Sequence, residues 1–231
     1  MVRTMYGASR TITIHGVVTL FHDRVDAGRQ LVAALARTPL DDAVVVGLAR
    51  GGVAVAAEVA RRLSLPLDAL AVRKVGHPMQ PEYGIGAVTP GPDGVYVRSH
   101  DGLSEPELRG VIELAKAKAE ALDRSLHERH RPLEIRGRAV VLVDDGLATG
   151  ATMVAAVRWA RGQGAARVVA AVPVGAAPSV RFLRLEADDV VCPHEREKFW
   201  SVGSWYDVFT QVADKDVIAL LDELQSPTAA C

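Results

Sequence analysis

Two adjacent carboxylates in the middle of the chain follow an apolar run and precede a loop of small and hydroxylated residues. Asp144 and Asp145 come directly after residues 140–143, which are all aliphatic. The loop and the start of the helix predicted after it contain two glycines and two threonines: Gly146, Thr149, Gly150 and Thr152. Glycines let backbone N–H groups point at a ligand, threonine hydroxyls can donate, and a helix N-terminus favours a dianion. Paired carboxylates suit a vicinal diol, because each accepts hydrogen bonds. The order of these groups predicts a site for a ribose 5-phosphate.

Residues 140–152 as a whole resemble the signature with which type I phosphoribosyltransferases bind 5-phosphoribosyl 1-pyrophosphate (PRPP). A plain strand–loop–helix turn with an aspartate cap is the alternative interpretation. The resemblance implies that Asp144 and Asp145 hold the ribose hydroxyls and approach, mostly through water, a Mg²⁺ ion bound with PRPP. It also implies that the 5-phosphate is wrapped by the residues that follow: Gly146, Leu147, Ala148, Thr149, Gly150, Ala151 and Thr152.

A glycine-rich turn after the first predicted strand agrees with the same family. In the family, the matching turn binds pyrophosphate through backbone amides and often contains a non-proline cis peptide, which the resemblance places at Ala49–Arg50. The residues assigned to pyrophosphate here are Ala49, Arg50, Gly51 and Gly52. Arg73 and Lys74 end the next predicted strand and suit the same leaving group by charge. An ordinary turn and a solvated charge pair are the alternatives.

The run 81–84 is similar to part of the adenine phosphoribosyltransferases, in which Arg-Lys-x-Gly precedes Glu-Tyr-Gly. In those enzymes the glutamate lies on a mobile catalytic loop, so the resemblance implies Glu82 as the acid–base group and Tyr83 as an acceptor contact. The spacer between the two pieces is shorter here, and a surface turn is the alternative. Ala148 stands where the 6-oxopurine enzymes carry an aspartate. This difference argues against hypoxanthine or guanine as the acceptor and does not establish adenine.

Aromatic residues cluster after the last predicted strand. An aromatic ring can stack on a base, and in the family a C-terminal segment forms part of the acceptor pocket. The candidates for acceptor binding are Trp200, Trp205 and Tyr206. Aromatic packing under the C-terminal helix, or at a dimer interface, explains the same residues equally well.

The elements that must position these residues alternate between strand and helix. Apolar runs predict strands at 43–48, 67–72, 138–143, 167–172 and 188–191. Helical periodicity and capping patterns predict helices at 23–37, 53–63, 104–130, 149–162, 178–185 and 214–224. The alternation predicts an α/β fold with an open, mostly parallel sheet flanked by helices.

Residues 76–102 break this alternation, because Gly, Pro and His cluster there, with only a weak strand at 95–98. We expect a water-excluding loop near 76–90, within a small hood or inserted subdomain at 76–131. The remaining expected divisions are an N-terminal arm at 1–20, a single domain at 21–231 and, within it, a C-terminal segment at 192–231.

Composition narrows the class of protein. The chain has 231 residues and a formal net charge of −1, so no basic field draws it to nucleic acid or to a membrane surface. Its two cysteines, Cys192 and Cys231, and the absence of a long apolar N-terminal run predict a reduced, cytoplasmic protein.

The sequence thus predicts a phosphoribosyltransferase that moves the 5-phosphoribosyl group of PRPP to a nitrogenous acceptor and releases pyrophosphate. By resemblance, we expect Mg²⁺ as the cofactor, PRPP and a small-molecule acceptor as ligands, and a homodimer. Two alternatives stay open: a protein of the same fold that senses PRPP without turnover, and an unrelated phosphosugar enzyme such as a phosphatase.

Overall fold

The computed structural model describes residues 13–14 and 17–225. Its centre is a five-stranded sheet in which every neighbouring pair is parallel, with strand order β11-β9-β8-β3-β4. The bounds are β3 Val44–Ala49, β4 Leu67–Ala71, β8 Ala139–Val143, β9 Arg167–Ala171 and β11 Asp189–Val191. The inner strands are nearly continuous aliphatic runs, as expected when both faces of a parallel sheet are buried. The predicted α/β fold with its mostly parallel sheet is confirmed.

Helices cover both faces of this sheet. On one face pack α1 (Arg24–Leu35), α2 (Gly51–Leu63), α6 (Asp214–Gln225) and the end of α3 (Glu105–Leu126). On the other face pack α4 (Ala151–Gly162) and α5 (Ala177–Leu183). Alternate strand residues pack into the hydrophobic cores on the two faces of the sheet. Val45 faces the first group of helices and Val46 faces the second. The observed helices start or end one to four residues away from several predicted bounds, as fraying ends do.

The predicted loop near 76–90 is wrong. Residues there form an antiparallel sheet of β5 (Arg73–His77), β6 (Gln80–Val88) and β7 (Val95–Val97), which packs against α3. Buried Val75, Ile85 and Val88 join this sheet to Leu108 of α3. Gly86 permits the close pairing, because a Cβ there would lie 2.2 Å from the Tyr96 carbonyl oxygen. Glycine and proline hid the strand pattern from sequence reasoning.

Short elements complete the chain. They are β1 (Thr13–Ile14), β2 (Val17–Val18), β10 (Val174–Ala176), β12 (His194–Arg196) and a 3-10 turn at Gly203–Trp205. The capping box predicted at Ser104 is present: Glu107 Oε2 accepts the Ser104 N–H at 2.9 Å. The rest of the expected N-terminal arm, and Cys231, lie outside the described residues. Among the helices that the structure describes, none combines the length and apolarity needed to cross a bilayer.

Candidate functional site

The carboxyl ends of β3 and β8 bring two loops into contact, as neighbouring parallel strands do. We call residues 50–52 the glycine turn and residues 144–152 the acidic loop. A Cβ on Gly51 would lie 2.1 Å from Asp145 Oδ2, and one on Gly52 would lie 2.5 Å from the Val143 carbonyl oxygen. Both positions therefore need glycine. The peptide bond Ala49–Arg50 is cis, as predicted.

The acidic loop presents a series of backbone N–H donors. Within the described part of the chain, no acceptor takes the backbone N–H groups of Ala148, Thr149, Gly150, Ala151 and Thr152. Gly150 has φ +81°, a left-handed conformation that favours glycine, and it precedes α4 directly. The loop is held from outside instead: the Leu147 N–H donates to the Val174 carbonyl, and Ser179 Oγ donates to the Ala148 carbonyl at 2.6 Å. Such an arrangement suits a phosphate dianion.

The two aspartates at the start of the loop are half-buried. Burial and the neighbouring charge of Asp145 raise the pKa of Asp144 well above its ordinary value. Burial also raises the pKa of Asp145, although the guanidinium of Arg24 works against the shift. Asp144 Oδ1 accepts the Asp145 N–H at 2.9 Å, which orients the first carboxylate. Two close carboxylates with raised pKa values are common at functional sites.

Arg24, which sequence reasoning missed, is the ion-pair partner of Asp145. Its Nε and Nη2 lie 2.9 and 2.8 Å from Asp145 Oδ2, and its Nη1 donates to the Thr210 carbonyl at 2.8 Å. Its guanidinium also lies over the Phe209 ring, 3.9 Å from the centroid. A weak signal was available, because Arg24 is the first residue of α1, where the helix dipole disfavours a cation.

A cavity of about 390 Å³ opens beside the two loops. It is lined by Arg24, Arg50, Gly51, Arg73, Asp145, Phe209, Thr210, Gln211 and Val212. Arg50 Nε lies 2.5 Å from Asp214 Oδ1. Arg50 and Arg73 line the same cavity, and burial together with the nearby charge of Arg50 lowers the pKa of the Arg73 guanidinium. The clustered cations suit a polyanionic ligand. Lys74, the next residue of β5, is exposed.

The residues predicted to bind the acceptor lie apart from the lining of this cavity. Tyr83 is 43% exposed, and the Arg98 guanidinium lies 5.9 Å from its ring centroid. Glu82 belongs to β6, but its side chain is outside what the structure describes. Trp200 is 88% exposed. Trp205 is half-buried and packs against Phe199 and Arg196.

Tyr206 is buried beneath the acidic loop. Its hydroxyl donates to the Asp145 carbonyl at 2.6 Å, and its ring packs on Phe21 and Phe209. Burial raises the pKa of this phenol, so it stays a donor. The ring is therefore buried among protein side chains, and the hydrogen bond of its hydroxyl supports the acidic loop.

Comparison with known proteins now bears on these loops. The model of the phosphoribosyl transferase domain matches residues 21–207, which include both loops and Arg73. The chain belongs to the phosphoribosyltransferase family. The expectation drawn from residues 140–152 is thereby confirmed at the level of the family and of its fold. Part of the cavity wall, residues 209–212, lies beyond the match.

Among relatives of this phosphoribosyltransferase-family chain are two proteins of Mycobacterium tuberculosis, from strains CDC 1551 and H37Rv, both provisionally named phosphoribosyl transferases. Each is 46% identical over 213 residues, which cover 88% of this chain and 46% of the relative. The chain thus spans less than half the length of these relatives. The crystal structure of TT1426 from Thermus thermophilus is 40% identical, covers 88% of this chain and 98% of that one, and has a TM-score of 0.76.

Proposed function

We propose that this protein transfers the 5-phosphoribosyl group of PRPP to a nitrogenous acceptor and releases pyrophosphate. One observation carries the proposal: backbone amides of the acidic loop, which have no acceptor among the described residues, lie directly beyond two half-buried carboxylates and beside a cavity lined by arginines. A phosphate, a diol and a diphosphate are the three groups that PRPP presents. The site offers donors for the first, acceptors for the second and cations for the third.

The roles of the loops follow from their chemistry. The N–H groups of residues 148–152 and the hydroxyls of Thr149 and Thr152 hold the 5-phosphate, and Gly146 and Leu147 shape the start of the turn. Asp144 and Asp145 accept hydrogen bonds from the ribose hydroxyls. The glycine turn, with Arg73 and Lys74, takes up the negative charge that develops on the departing pyrophosphate. Catalysis on this account is mainly positioning and electrostatic stabilisation.

Mg²⁺ suits this site only when it binds together with PRPP. In the described residues, no group of three or more His, Cys, Asp and Glu side chains is arranged to hold a metal. Mg²⁺ keeps several waters and is often bound by one or two carboxylates together with substrate phosphates. Asp144 and Asp145 are the carboxylates that would face it. When bound, the ion would supply charge neutralisation to the diphosphate.

The acceptor pocket must lie across the ribose from the diphosphate. We propose Tyr83, Trp200 and Trp205 as its candidate aromatic residues and Glu82 as its acid–base group. Exposed Trp200 has ring area free to cover a flat acceptor. Buried Tyr206 supports Asp145 from below and is not assigned to stacking. The cytoplasmic location and the homodimer expected from the sequence belong to this proposal as well, and sedimentation analysis tests the dimer.

Pyrophosphate release measured with PRPP, Mg²⁺ and a panel of purine, pyrimidine and other nitrogenous acceptors tests the proposal. Release that depends on one acceptor class, and that is lost in Asp145→Asn, is the expected result. Tight PRPP binding without acceptor-dependent release would identify a PRPP sensor instead. Hydrolysis of simple phosphate esters with no PRPP binding would point to a phosphatase.

A further inference from the structure

The ion pair between Arg24 and Asp145 is more shielded than the exposed ion pairs of the surface. The two side chains are 11% and 14% exposed, and both Nε and Nη2 of the arginine meet the same oxygen, Oδ2. Solvent and salt screen a buried pair far less than a surface pair. The Asp145 carboxylate is therefore held in one orientation, and Oδ1 takes no part in the pair.

The pair also lies at the contact between the two loops of the site. A Cβ on Gly51 would stand 2.1 Å from Asp145 Oδ2 and 3.2 Å from Arg24 Nε. The ion pair thus fills the space that a side chain on the glycine turn would need. The spacing between the acidic loop and the glycine turn depends on this packing.

The remaining contacts of Arg24 reach a third segment. Its Nη1 donates to the Thr210 carbonyl, and its guanidinium covers Phe209. Residues 209–212 form one wall of the cavity, and their backbone N–H groups have no acceptor within the described part of the chain. Arg24, like Tyr206, thus links this wall to the acidic loop.

We propose that Arg24 is a positioning residue for PRPP, which locks Asp145 so that its second oxygen meets the ribose. The inference rests on the proposed function and deepens it. The guanidinium of Arg24 is engaged by Asp145, Thr210 and Phe209, so it acts through Asp145 and not on the reacting atoms. Lysine cannot replace it fully, because one ammonium lacks the planar fork that reaches Asp145 and Thr210 together.

A double-mutant cycle with Arg24→Gln and Asp145→Asn tests this inference. PRPP affinity is measured by calorimetry in the presence of Mg²⁺ for the wild type, both single variants and the double variant. If Arg24 acts through Asp145, each single change weakens binding by about tenfold or more, and the double variant is within about threefold of Asp145→Asn alone. A purely structural contribution from Arg24 would make the two losses multiply.

Two further variants provide a conservative substitution of Arg24 and a control on the same helix. Arg24→Lys should bind PRPP with an affinity between those of the wild type and Arg24→Gln, and it carries the test if Arg24→Gln does not fold. Arg29→Gln, on the same helix but paired with Glu58, should leave PRPP affinity unchanged. Wild-type binding with an unchanged affinity in Arg24→Gln and Arg24→Lys, or losses that multiply, would overturn this inference alone. A wild type that does not bind PRPP would overturn the proposed function and the inference with it.

Discussion

Gly51 and Asp145 are in contact so close that the Cβ of any other residue at position 51 would lie 2.1 Å from the Asp145 carboxylate. The relationship joins the start of α2 to the end of β8, two elements far apart in the sequence. Position 51 therefore requires glycine because of this contact and not because of its backbone conformation, since Gly51 begins α2 without a left-handed φ.

Gly51→Ala should therefore displace Asp145 and weaken PRPP binding by about tenfold or more, since small misplacements of positioning groups are costly. Gly110→Ala is the matched control, because Gly110 lies within α3 and its added Cβ would meet nothing within 4 Å. The control should keep PRPP affinity and gain roughly 0.5–1 kcal/mol of unfolding free energy from better helix propensity. Calorimetry and urea unfolding of both variants test the pair, and equal PRPP affinities would contradict the assigned contact.

Thr149→Val should affect binding without affecting stability. Thr149 is exposed, and its hydroxyl has no partner among the described residues, so the folded protein loses nothing when the hydroxyl becomes a methyl group. If the hydroxyl donates to the 5-phosphate, the variant loses about 1–2 kcal/mol of PRPP binding free energy. Calorimetry measures the loss and thermal unfolding checks the stability. An unchanged affinity would remove Thr149 from the phosphate site.

Asp144→Asn should stabilise the protein at alkaline pH. Burial and Asp145 raise the pKa of Asp144 in the folded state, so the folded protein binds more protons than the unfolded chain and its stability falls as pH rises through that range. Asparagine removes this cost and keeps an oxygen for the Asp145 N–H. We expect a melting temperature a few degrees higher than the wild type at pH 8, with the gain shrinking toward pH 4.

The control for this prediction is Asp42→Asn. The Asp42 side chain is 81% exposed and, among the described residues, pairs with Arg138 at the surface. It should show no comparable gain. If Asp144→Asn lowered the melting temperature at pH 8, the Asp144 carboxylate would stabilise the fold. It would then not be a group that binds ligand at a cost in stability.

His127 supplies a second pH dependence of the same sign, because its pKa is also raised in the folded protein. It lies between Asp68 and Asp123, with Nε2 3.0 Å from Asp68 Oδ1 and Nδ1 3.4 Å from Asp123 Oδ1. Burial opposes its charge, but the two carboxylates outweigh burial and raise the pKa of His127 to about 10. A raised histidine pKa stabilises the fold fully below its ordinary value of about 6.5, and this contribution disappears as pH rises through about 10.

His127→Gln should therefore lower the free energy of unfolding most at pH 6, by on the order of 2–4 kcal/mol, as expected for a broken buried pair. The difference from the wild type should shrink as pH approaches 10. Urea unfolding of both proteins at pH 6, 8 and 10 provides the measurement. A difference that stays constant with pH would show that folding does not raise the pKa of this imidazole.

The central sheet and the two loops could be predicted because their signals are local. Residues 140–152 show a buried strand, an acidic pair and a loop as one uninterrupted pattern, and Ala49–Arg50 lies in an equally compact turn. Local chemistry and fold agree there, so reasoning from neighbouring residues was sufficient.

Arg24 and the strands β5 and β6 could not be predicted in this way. Arg24 and Asp145 are separated by 121 positions, and the packing of α1 against α2 and β11 brings them together. The strands β5 and β6 were hidden because Gly84 and Gly86 interrupt the alternation of apolar residues, although Gly86 is what allows close pairing with β7. Contacts of this range are determined by the tertiary structure and not by periodicity.

Calorimetric titration of PRPP with Mg²⁺ into the wild type and into the Asp144→Asn/Asp145→Asn double variant tests the central claim most directly. The account predicts saturable binding to the wild type and none to a double variant that still unfolds cooperatively. Equal affinity in the two proteins would show that the acidic pair does not hold the sugar, and the assignment of this site would be wrong.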